Sequence, residues 1–256
     1  MITAGIELDI IGVPMLVGML VVATHVPLGR EVLRRGIIFI DLAVAQIAGL
    51  GVIAALSMGW NTGGWETQVV AVISALLGAI LIHSFERYWP EIQEALIGIA
   101  FVLSAAAGLL LLAGNPHGAE HLSDLLAGQL LWVNIDQLII AAAAYMPVLA
   151  VWYWLGPGRL RFYLLFAVTV TVSVQLVGIY LVFSSLIIPA VAIRRLQGIA
   201  AIAAGYGLGV LAFAGGLLCS LWFDWPAGPA VVWMLALTGI IFGITAGLHY
   251  RDRRVD

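Results

Sequence analysis

The sequence predicts an all-α polytopic membrane protein with about eight or nine transmembrane helices, some of them short or broken. Three observations carry that prediction. Of 256 residues, 63% are hydrophobic and 10% charged, whereas a soluble domain carries roughly a quarter charged residues; mean hydropathy is +1.10. The apolar residues gather into runs of the ~20 needed to cross a bilayer as helix. The basic residues, 11 in all and every one an arginine, fall in short clusters between those runs.

The runs lie at residues 10–28, 36–58, 67–85, 95–113, 135–155, 198–220 and 229–249, with a further apolar stretch at 162–193. The whole chain, 1–256, is expected to form one transmembrane domain. Its start, "MITAGIELDI", lacks a basic region and carries Glu7 and Asp9, which argues against a cleaved signal peptide. The single cysteine, Cys219, cannot form an intrachain disulfide. A net charge of −3 supports no nucleic-acid partner. Nucleotide-hydrolysing P-loops need a lysine on the phosphates, and the chain has none, so it is not itself an ATPase of that type.

Arginine enrichment marks cytoplasmic loops. The clusters are Arg30/Arg34/Arg35, Arg87, Arg159/Arg161, Arg194/Arg195 and Arg251/Arg253/Arg254, and the loops at 59–67, 114–121 and 222–228 hold no arginine. Alternation fits with the N-terminus outside and the C-terminus cytoplasmic, provided the chain leaves the cytoplasm after Arg161 and returns by Arg194. About 32 residues cannot make two straight crossings at 1.5 Å per residue. The stretch 162–193 is therefore expected to hold short, broken or re-entrant helices bent near Gly178 or Pro189; the alternative is one long tilted helix. Glycine and alanine at helical spacing in "GYGLGVLAFAGG" and "AGLGVIAA" point to close helix packing.

Polar groups inside spans are costly and often functional. Asp41 is the clearest case, read as either a pathway residue or a local ion pair with Arg34 and Arg35. Gln46 lies roughly 140° round the helix from it. Gln175 sits mid-span near Ser184 and Ser185. His25 and His83 look interfacial, Glu94 looks like a first-turn charge favoured by the helix dipole, and His249 falls in the last turn of the final span. Trp60, Trp65, Trp89, Trp132, Trp222 and Trp225 cluster at span ends as an aromatic belt.

The stretch "NPHGAEHLSD" carries His117, Glu120 and His121, with Asp124 close by. Asn115 can cap and Pro116 can open a helix, which sets His117 and His121 on one face in metal-chelating geometry. The letters match an inverted zinc-protease motif, but no glutamate follows Glu120 to complete such a site. A hydrated turn and a non-cytoplasmic ion entrance both remain open; nitrogen and oxygen ligands suit zinc or manganese.

Four stretches, "VPLGREVLRRGIIFIDLAVAQIAGLG", "EALIGIAFVLSAAAGLLLL", "VGIYLVFSSLIIPAVAIRRL" and "GGLLCSLWFDWPAGPAVV", resemble the permease subunits of the zinc/manganese ABC importers, in order and spacing, from about residue 25 to 245. The resemblance implies a bacterial inner-membrane permease that works as a homodimer and docks two cytoplasmic ATPase subunits. It also implies an extracytoplasmic metal-binding protein that delivers a divalent ion; the ion is cargo and no cofactor is bound permanently. By the same resemblance the segment from Pro189 to Gln197, with Arg194 and Arg195, is the coupling contact to the ATPase. The family's second span usually carries an Asp and a His a turn apart. An ungapped match puts Leu42 and Gln46 at those positions, with Asp41 displaced by one. That departure keeps a metal chelate or another small substrate open as the alternative cargo, and suggests that ligand capacity has moved outward to His117, Glu120 and His121. Asp41, Gln46 and Gln175 remain the expected pathway residues.

Overall fold

The computed structural model describes residues 2–60, 64–112, 126, 128–155 and 158–252, with side chains between 11 and 245. Among the described residues eight helices are long and apolar enough to cross a membrane, and there is no strand. The helices are α1 (Ile2–Arg35), α2 (Ile40–Ser57), α3 (Trp65–Tyr88), α4 (Gln93–Leu112), α5 (Ile135–Leu155), α6 (Arg159–Ala192), α7 (Gly198–Phe223) and α8 (Ala227–Asp252), with single 3₁₀ turns at Pro90–Ile92 and Leu130–Trp132.

α1 runs past its expected end at 28. Arg34 and Arg35 occupy its last turn, where cations complement the helix dipole, and both bond Glu31 at 2.7 Å one turn back. Gly36 then takes φ +71° and ends the helix. α3 carries Glu66 in its first turn and Arg87 in its last, the arrangement the dipole favours. The six tryptophans of the expected belt are all exposed and lie at or beyond helix ends.

The stretch 162–193 is interrupted as its length required. Gly178 has φ 79° and ψ 163° inside α6, a region only glycine enters without strain. The break leaves residues 159–177 and 179–192, about 28 Å and about 21 Å of helix. Of the two positions where a bend was expected, Gly178 is the one with non-helical backbone angles, and Pro189 lies within the helix. Gly128, itself at φ +69°, lies so close to the Val177–Gly178 peptide that a Cβ there would overlap it.

The chain divides into two compact units. The first comprises Met1–Arg35, Gln129–Ala141 and Tyr180–Asp256. Its α1–α7 contact is made by valines set on glycines: a Cβ on Gly209 or Gly205 would stand 2.7 Å from Val22 or Val26. Tyr206 closes this seam by donating to Ala23 O at 3.1 Å. α7 and α8 meet where Gly216 faces Val231. Lipid is as apolar as leucine, so helices in it associate through such close packing, not through the hydrophobic effect.

The second unit comprises Gly36–Gly128 and Ala142–Ile179. Gly78 receives Ile47 of α2, and Gly51 of the "AGLGVIAA" stretch lies so close to Ser74 of α3 that a Cβ there would overlap its side chain, the close packing its spacing predicted. The N-terminal half of α6 supplies the buried aromatics Phe162, Tyr163 and Phe166, with ring centroids 5.2 and 5.4 Å from Phe162.

Candidate functional site

α2 begins where α1 has just ended, and its start is held from a distant part of the sequence. Phe39 is the N-cap residue and has no side-chain cap of its own; its N–H donates to Glu94 Oε1 of α4 at 3.1 Å. Glu94 therefore does more than complement the dipole of its own helix. It satisfies an orphan donor of another.

Asp41 follows in the first turn of α2 and is 1% exposed. Neither carboxylate oxygen has a hydrogen-bond partner. Arg34 and Arg35 both bond Glu31 on their own helix. Glu94 Oε2 is likewise buried and unpartnered. Two carboxylates thus attend the α2 start, and Asp41 has no side-chain partner, only the backbone N–H groups of its own first turn beside it.

Gln46 lies farther along α2 and is half-buried, as is Gln175 on α6, three residues before the Gly178 break. The hydroxyls around Gln175 are structural: Thr169, Thr171 and Ser173 each donate to the carbonyl four residues back, and Ser173 Oγ also meets Tyr145 OH at 2.6 Å. Pro189 is buried in α6, and Arg194 and Arg195 are exposed in the turn that follows it. His117, Glu120 and His121, with Asp124, lie outside the described residues. Among the described residues no three His, Cys, Asp or Glu side chains gather as a metal site.

The two histidines expected at the interface stand in different surroundings. His83 stacks at 5.4 Å on Tyr163, whose hydroxyl accepts from Gln93 at 2.9 Å, and its Nδ1 lies 3.4 Å from Glu86 Oε2. His25 is 0% exposed on α1; Nδ1 contacts Val21 O at 2.7 Å and Thr24 Oγ1 at 3.1 Å, and Nε2 has no partner. Its ten-residue separation from Arg35 was the available signal, since it amounts to about 15 Å along a helix.

The profile of the ABC 3 transport family matches residues 7–156 and 158–246. The chain is 25% identical over 241 residues to the high-affinity zinc uptake system membrane protein ZnuB of Haemophilus influenzae, covering 85% of this chain and 90% of that one. It is 29% identical to the zinc transport system membrane protein TroC of Treponema pallidum, covering 88% and 87%. Its fold is similar to that in the structure of PsaBC from Streptococcus pneumoniae in complex with Fab, with a TM-score of 0.73 and 22% identity over 94% of this chain and 95% of that one. It is also similar to that of a putative metal-chelate type ABC transporter in an inward-facing conformation, with a TM-score of 0.69, 16% identity and 91% and 85% coverage.

Proposed function

This chain belongs to the ABC 3 transport family, and we propose that it is the membrane permease of an importer whose cargo is a divalent metal ion, zinc or manganese. The observation that carries the reading is Asp41, a carboxyl group buried in the first turn of a transmembrane helix with no side-chain partner. Such a group is costly and typical of ion pathways.

On this reading 1–256 forms one permease domain that pairs with a second copy in the bacterial inner membrane, N-terminus outside and C-terminus cytoplasmic. An extracytoplasmic binding protein delivers the ion to the His117, Glu120 and His121 loop. The ion passes Asp41, Gln46 and Gln175 and leaves on the arginine side. ATP is hydrolysed by separate cytoplasmic subunits, which push on the segment from Pro189 through Arg194 and Arg195. Sparse ligands suit this task, because a site must release as well as bind.

A metal chelate is the second reading, favoured by the amide of Gln46 standing where an imidazole is expected on α2. The test is reconstitution with the ATPase and the binding protein loaded with zinc, manganese or a metal chelate. Stimulation of ATP hydrolysis by the zinc or manganese form supports metal import; stimulation by the chelate form alone transfers the assignment to the second reading. In the same assay a His117→Ala/His121→Ala double variant should lose uptake at limiting metal. Unchanged uptake at unchanged expression removes the entrance role.

A further inference from the structure

His25 holds a nitrogen that neither the fold nor the pathway described above uses. The carbonyl of Val21, 2.7 Å from Nδ1, can only accept, so Nδ1 carries the proton. Thr24 Oγ1 stands beside the same nitrogen and itself donates to Val21 O at 3.0 Å, which locks the ring from one side. In the neutral imidazole the lone pair is then on Nε2, which is buried and unpartnered.

Leaving a buried acceptor unmatched is unfavourable. A backbone carbonyl on one ring nitrogen is also the arrangement that orients metal-binding histidines and frees the other nitrogen as ligand. The depth fits as well. About 15 Å of helix separates His25 from Arg35, half the ~30 Å apolar thickness of a bilayer, and transporters place cargo sites near the midplane. Among the described histidines, the only other buried unpartnered ring nitrogen is Nδ1 of His83, which lies 3.4 Å from Glu86.

We propose that His25 Nε2 is a transient ligand for the transported cation, an imidazole nitrogen that favours a borderline divalent ion such as zinc over hard ions such as magnesium. This rests on the metal-import reading for its transport role, but the binding role can be measured by itself. His25→Asn keeps an amide donor for Val21 O and removes Nε2. With the assembled permease–ATPase complex and zinc chloride as probe, equilibrium dialysis should show zinc affinity falling about tenfold or more at one site per permease chain. Zinc uptake at limiting concentration should fall in parallel, and the small affinity for magnesium should be unchanged.

Equal zinc affinity and uptake in the two proteins overturn the inference and leave a bound water as the partner of Nε2. A loss of uptake matched by an equal loss of folded complex, with zinc affinity per complex unchanged, also overturns it, as a purely structural role. Wild-type protein that binds zinc through His25 without transporting it would retain the ligand and remove the import reading. Zinc transport indifferent to His25→Asn would do the reverse.

Discussion

α6 and α4 are both strongly apolar and do opposite things. Their most apolar windows have mean hydropathies of 2.1 and 2.6, yet 72% of the first is buried in the protein and only 17% of the second. α6 holds buried Thr169, Thr171, Ser173, Ser184 and Ser185 and a backbone break; α4 turns Val102, Leu103, Leu109 and Leu110 outward. Hydropathy therefore says that a segment can live in lipid and nothing of whether it touches lipid. The interior helix is marked by polar groups satisfied locally, since hydroxyls bonded to the carbonyl four residues back leave no demand on neighbours.

Substitutions in α6, at its hydrogen-bond partner on α5, and in α4 sharpen this contrast. The largest effect is expected at the break. Gly178→Ala places a Cβ at φ 79°, ψ 163° and should destabilise by roughly 1–3 kcal/mol, read as a fall in the thermal midpoint of the purified protein. An unchanged midpoint would mean that the break is not obligatory and that α6 tolerates a continuous helix. Next comes Tyr145→Phe, which removes the 2.6 Å hydroxyl contact to Ser173. A loss of about 0.5–1.5 kcal/mol is expected from one interhelical hydrogen bond; a loss equal to that of a lipid-facing substitution would break the comparison. The smallest effects belong to α4. Leu110, 78% exposed, should tolerate Leu110→Ala within about 0.5 kcal/mol. Gly98 has nothing within 4 Å of its Cβ position, so Gly98→Ala should raise stability by up to about 1 kcal/mol through helix propensity. A marked fall at either position would reveal a protein partner on that face.

Much of the fold was legible because its signals are local. A run of some twenty apolar residues needs no tertiary knowledge to be read, and neither does an arginine cluster or a tryptophan at a run's end. Chain length together with the arginines at both ends pointed to an interruption in 162–193. The choice of Gly178 over Pro189 was not legible: a proline within a membrane helix can be absorbed by neighbouring groups, and that depends on what surrounds it. The glycine spacing of "GYGLGVLAFAGG" announced a close contact, but not that Val22 and Val26 of α1 would fill it.

The candidate site was legible in kind and not in partnership. Asp41 stood out as a charge in a span, and its arginine pairing was a reasonable expectation from six or seven residues' separation. Glu31 bonds both arginines, because a partner three or four residues away on the same helix faces Arg34 and Arg35 at no cost in loop geometry. Glu94 looked like a dipole charge because its bond to Phe39 crosses 55 residues of sequence. His25 looked interfacial because the first helix was ended at 28; extending it to Arg35 carries the imidazole inward.

The sequence by itself determined that this is a helical membrane protein of the permease type, where its helices run and which charges are scarce enough to matter, because transfer of apolar residues into lipid is additive along the chain. Tertiary structure alone decided which helix is interior, which bond each polar group makes and which groups are left without one. Those outcomes depend on distances of a few ångströms between residues far apart in sequence, and hydrogen bonds and ion pairs fall away over that range.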